Sequence, residues 1–194
     1  MENIEKLLKE LHIDIELSNS DIPDIDLYMD QVIQLFENKF KETKRNPDEK
    51  ILTKTMINNY SKGKLFFPIK NKKYSREHVM LINMIYEMKT VLAIRDIKHA
   101  FTKLNEGIIE REFELEKLYE SYLTLSKGNA HQFQKDSIRM NQIAVEESGN
   151  FLKEDQDYVE KLLLILSFVN KSNYYRRAAE KIIDQLENPE TKKD

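Results

Sequence analysis

Only four glycines and four prolines punctuate this chain of 194 residues. An all-β fold draws on both at its many turns, whereas helix interiors exclude them, so such sparse punctuation points to a mainly α fold. The apolar spacing agrees. In residues 2–11, Ile4, Leu7, Leu8 and Leu11 fall at helical intervals. After the turn-forming "SNSDIPD", "IDLYMDQVIQLFENKFKE" reads as a helix with Leu27, Val32, Leu35, Phe36 and Phe40 on its apolar side. Asn46-Pro47-Asp48 is a turn. Thr53 is a suitable N-cap for a short helix, "KTMINNYSK", with Met56, Ile57 and Tyr60 inward and Gly63 as its stop.

From Gly63 to Ser75 the helical period vanishes, and "LFFP" followed by "IKNKKY" predicts a small β-hairpin. Ser75 then caps "REHVMLINMIYEMKTVL", apolar on more than one face and so central, and "IRDIKHAFTKLNE" follows with Ile94, Ile97, Phe101 and Leu104 on one stripe. Beyond Gly107 the pattern predicts long helices over about 108–127, 130–150 and 154–187, the first with Leu115, Leu118, Tyr122 and Leu125 aligned and the last with a bend near "NKSN". The run "LLLILSFV" reads as a buried core helix whose breadth also suits a homodimer interface, and it is too short to span a bilayer. The acidic N-terminus lacks the apolar core of a signal peptide, and cysteine is absent, so a reducing, cytoplasmic location is expected.

Charge is divided unevenly. Residues 1–43 hold 4 basic and 11 acidic side chains, residues 44–80 hold 10 and 3, and residues 81–194 hold 17 and 20. The basic block coincides with the short helix and the hairpin. A DNA major groove admits one α-helix, whose short polar side chains read base edges while flanking cations hold phosphates. On the helix and its end that set is Lys54, Thr55, Asn58, Asn59, Lys62 and Lys64, with Asn58 and Asn59 suited to adenine. On the hairpin it is Lys70, Asn71, Lys72 and Lys73, with Arg76 at the next helix start. Two other readings stand beside this one: Lys on an exposed strand edge discourages pairing, and the basic face of 44–80 could dock an acidic protein partner.

Helix, turn, short helix, hairpin and two further helices is the order of a winged helix-turn-helix. The residues Thr55, Tyr60, Gly63, Leu65, Pro68, Tyr74, Ser75, Ile94, Ile97 and Lys98 resemble the DNA-binding half of MerR-type regulators over about residues 24–105. The whole chain is similar to an uncharacterised bacterial family catalogued as a domain of unknown function. The resemblance implies a dimeric transcriptional regulator of double-stranded DNA whose C-terminal half handles dimerisation or sensing. Together with the helical spacing, this divides the chain into an N-terminal amphipathic arm (1–20), a MerR-like winged-helix domain (21–105) and a C-terminal helical bundle for dimerisation or effector binding (106–194). Without cysteine, a thiol-based sensor is excluded. Catalysis has no visible chemistry: no P-loop, Rossmann or nucleophile-elbow motif occurs. Neither a cofactor nor a metal is expected, since only Asp96 and His99 have ligand spacing and a site needs three or four ligands.

Overall fold

A computed structural model describes residues 4–186, so the outermost parts of the N-terminal arm (1–3) and of the C-terminal segment (187–194) lie outside the described residues. The chain is mainly helical, with a small antiparallel sheet. In order come α1 (Ile4–Glu10), β1 (Leu27–Tyr28), α2 (Met29–Phe40), α3 (Lys54–Lys62), β2 (Lys73–Tyr74), α4 (Arg76–Met88), α5 (Ile94–Glu110), α6 (Leu115–Ser148) and α7 (Gln156–Ile183). Two compact units result: one comprises Ile15–Leu123 with the chain from Ala179, the other comprises the chain up to Asp14 with Thr124–Ala178.

The first unit is built around α4. Its consecutive residues His78 to Ile85 are all buried, as a helix apolar on several faces requires. Val32, Phe36 and Phe40 from α2, Ile57 and Tyr60 from α3, and Ile97 and Phe101 from α5 complete the core with Leu115, Tyr119 and Leu123. A buried polar relay ties this core to the chain before β1: the Tyr119 hydroxyl donates to the Leu17 carbonyl (2.7 Å) and accepts from Asn83 Nδ2 (3.0 Å). Burial pushes the Tyr119 hydroxyl pKa well up, so it stays a proton donor.

Several expectations are corrected here. Leu27 and Tyr28 do not open a helix; they pair with Tyr74 and Lys73 as β1 against β2. Pairing supplies backbone partners that a helical start at the same residues would forgo. "LFFP" likewise forms no strand: Leu65 and Phe66 are buried in the core, and β2 takes β1 as its neighbour. The long helices also divide differently, because α5 runs to Glu110 and α6 continues without a break through Gly128. A Cβ at Gly128 would meet nothing within 4 Å, so the glycine neither packs nor turns, and its helical cost of about 1 kcal/mol relative to alanine is met by the neighbouring turns. On the first turns of α6 Leu115, Tyr119 and Leu123 are buried, while Leu118 and Leu125 face out. α7 passes through "NKSN" as one helix.

In the second unit the far half of α6 and α7 run antiparallel. Phe133 meets Phe168 with ring centroids 5.8 Å apart, and Lys171 pairs with Asp136 at 3.0 Å. Ile4, Leu8, Ala144 and Leu164 are its buried apolar residues. "LLLILSFV" is covered on one side only in the single chain: Leu164 is buried, whereas Ile165, Leu166 and Val169 are each more than half exposed. Apolar periodicity records that a face seeks cover, and says nothing about which chain provides it.

Candidate nucleic-acid interface

α3 divides its faces cleanly. Thr53 Oγ1 caps the first turn by accepting from the Met56 backbone N–H at 3.2 Å. Ile57 and Tyr60 are buried, whereas Lys54, Thr55, Asn58, Asn59, Ser61 and Lys62 are exposed. Burial raises the Tyr60 pKa to about 12 and its hydroxyl has no hydrogen-bond partner, so Tyr60 acts as an anchor in the core. The Asn58 and Asn59 side chains make no hydrogen bond to the described residues. Lys54, by contrast, is paired with Asp30 at 2.9 Å, although both side chains are largely exposed. Such a pair is easily exchanged for another anion.

α3 stops at Gly63, its C-cap, as the spacing predicts, but the turn beyond it is made without a left-handed glycine. The residue in the left-handed region is Lys64 (φ 56°), and Gly63 is helical at φ −70°. The Leu65 N–H reaches back to the Tyr60 carbonyl (3.0 Å) across this turn, the bond that closes a Schellman cap. A Cβ at Gly63 would stand 3.1 Å from the Asn59 carbonyl, a tight approach, and 3.6 Å from Ile94, an ordinary contact. Lysine thus occupies the position that glycine fits best, at a cost of about 1 kcal/mol.

The same choice recurs at the 70–73 turn. Lys70 bridges Lys73, with Asn71 (φ 51°) and Lys72 (φ 59°) both left-handed between them. Two left-handed central residues define the tight hairpin turn in which Asn-Gly is the favoured pair. Lys72 stands where that glycine would be. Lys70, Asn71 and Lys72 are exposed, while Lys73 is half-buried with its Nζ 5.3 Å from the centre of the Tyr28 ring, a cation–π contact.

Arg76 does not stand free with the others. Its guanidinium donates to the Ile22 carbonyl, to the Asn19 carbonyl at 2.8 Å, to Asp24 at 3.1 Å and to Glu116 at 3.1 Å. It clamps the 19–24 segment onto the start of α4.

Sequence reasoning missed His78, which is buried and braces the 65–75 segment. The Ser75 backbone N–H donates to His78 Nδ1 (3.1 Å), so the ring proton sits on Nε2 and is donated to the Phe67 carbonyl (3.1 Å). Ser-x-x-His at the head of α4, a variant of the capping box, was the available signal. Burial lowers the His78 pKa below its ordinary 6.5, against opposing pulls from the Phe67 carbonyl and the Glu77 and Asp26 charges. A folded-state pKa below the unfolded one means that the unfolded chain binds more protons in between. The stability contributed by neutral His78 is therefore complete above about pH 6.5 and is lost as pH falls towards the folded pKa. Urea melts are expected to show wild-type stability falling below about pH 6.5 more steeply than that of His78→Gln, by at most about 1.4 kcal/mol per pH unit. Parallel curves would assign the acid sensitivity to other groups.

Among the described residues no cluster of three or more His, Cys, Asp or Glu could hold a metal ion, and no helix is long and apolar enough to cross a membrane. What fold and site define is a mainly helical protein with a small antiparallel sheet and an exposed polar-cationic helix face. A family model described as a domain of unknown function (DUF1836) matches residues 17–122, more than half of the chain, and the chain belongs to this family. The matched span nearly coincides with the compact stretch Ile15–Leu123. No curated protein and no solved structure matches the chain.

Proposed function

We propose that this protein is a dimeric, sequence-specific DNA-binding regulator of transcription, with residues 21–105 acting as a MerR-like winged helix-turn-helix. α3 is the reading helix, the 70–73 turn is the wing, and β1 anchors the wing to α2. The observation that carries this reading is the unsatisfied outer face of α3, where Asn58 and Asn59 stand free of internal partners beside Lys62. Amides of this kind suit bidentate pairing with adenine. Lys64 and Lys72 add weight, since each holds a cation in a backbone conformation that glycine fits better. Arg76, assigned to the clamp, is not part of the proposed contact set.

The dimer is supported by α7. Tyr158, Leu162, Ile165 and Val169, spaced by four, three and four residues, all lie exposed. That spacing is the seam of a two-helix interface, and a second copy supplies the same seam.

Selection from random DNA is expected to enrich a motif with two half-sites about 34 Å apart, one per protomer. Asn58→Ala is expected to relax specificity at one base pair by about 1–3 kcal/mol, and Lys72→Ala to weaken all sequences nearly equally. No enriched motif, together with like behaviour of the two variants, would end the DNA reading in favour of a basic face that docks an acidic protein.

A further inference from the structure

We propose that a cavity between the 70–73 turn and the end of α5 binds a small carboxylate with an apolar body, of the class of hydrophobic amino acids. The cavity measures about 620 Å³, within the roughly 300–1,000 Å³ of small-molecule sites. Phe67, Pro68, Ile108 and Ile109 supply apolar lining, and Lys70 and Arg111 line it without ion pairs among the described residues. Of the other charged lining groups, Lys73 already lies over Tyr28, and Glu77 already accepts from the Ser75 hydroxyl at 2.6 Å. Asp26 has no such partner.

The second observation is the backbone at Arg111. α5 ends in a Schellman turn, with the Glu112 N–H on the Gly107 carbonyl (2.9 Å) and the Arg111 N–H on the Ile108 carbonyl (3.2 Å). The left-handed residue of that turn is Arg111, at φ 60°. Glycine is the stable choice there, so an arginine that lines the cavity is carried against the preference of the backbone. A planar guanidinium matches a carboxylate through two parallel hydrogen bonds, and a wall of aromatic and branched side chains takes an apolar body. The unpaired Asp26 carboxylate favours an amino group on the same ligand.

Lys70 belongs also to the proposed wing, so a bound carboxylate would reduce the charge offered to phosphate. That coupling rests on the DNA reading; binding in the cavity does not.

Calorimetric titration of the full chain with L-phenylalanine, 3-phenylpropionate and inorganic phosphate tests the site. Both carboxylates are expected to bind, phenylalanine the more tightly through Asp26, with phosphate at least tenfold weaker than either, about 1.4 kcal/mol. Arg111→Gly relieves the left-handed strain, so that variant is expected to melt at or above the wild-type temperature while losing carboxylate binding about tenfold or more. Silence with both carboxylates, phosphate binding equal to theirs, or undiminished affinity in folded Arg111→Gly overturns the proposal. If the carboxylates bind and no DNA sequence does, the site stands and the DNA reading falls.

Discussion

Replacing Lys62, Lys64 and Lys72 together by glutamine is expected to weaken DNA binding by about a hundredfold or more per protomer and to flatten its salt dependence by up to about 3 in slope. The estimate follows from counterion release: each ammonium withdrawn from a phosphate removes about 0.9 from the slope of log affinity against log salt. All three side chains are exposed, so their loss opens no cavity. Glutamine is chosen because it bears the left-handed conformation at positions 64 and 72 no better and no worse than lysine does. Glycine there would tighten the backbone while removing the charge, and the two effects would be confounded. Titration across a range of salt concentrations measures both quantities. An unchanged slope would mean that these lysines meet no phosphate, and with them the proposed reading surface would go.

The second large effect is on stability. Arg76→Ala is expected to cost about 3 kcal/mol in chemical denaturation, because the Asn19 and Ile22 carbonyls each lose a charged donor. The ion pairs with Asp24 and Glu116 add little, since those carboxylates are 92% and 62% exposed. Arg76→Lys should recover less than half of the loss, as one ammonium cannot reach in the several directions that the guanidinium fork serves. DNA affinity of the folded fraction should keep its salt slope. A slope reduced by about 1, with stability intact, would return Arg76 to the phosphate-binding set that its sequence position suggested.

That exchange of roles illustrates where the sequence could be read. The inward set Ile57 and Tyr60, the outward set Lys54, Thr55, Asn58, Asn59 and Lys62, the Thr53 cap and the burial of α4 all follow from local spacing. Each depends on neighbours within about one or two helical turns, which is the range over which helical periodicity and capping act. Arg76 and His78 were not readable in this way. Arg76 meets the Asn19 carbonyl, 57 residues away in sequence, and His78 meets the Phe67 carbonyl across the 70–73 turn. The left-handed lysines were hidden for another reason. Spacing pointed to Gly63 as the stop of α3, where the helix does end, but carried no sign that the left-handed residues beyond it and in the 70–73 turn would be lysines.

By itself the sequence determined a mainly helical chain, the two faces of α3 and the concentration of positive charge in residues 44–80. These properties are sums over side chains or periodicities along one strand of chain, and no distant contact is needed to produce them. The tertiary structure alone decided that β2 pairs with β1, that Arg76 clamps the 19–24 segment while Lys64 and Lys72 stay exposed, and that Lys70 and Arg111 line one cavity. Those outcomes depend on which backbone groups find partners once the core has closed, and that is settled by contacts between residues far apart in the chain.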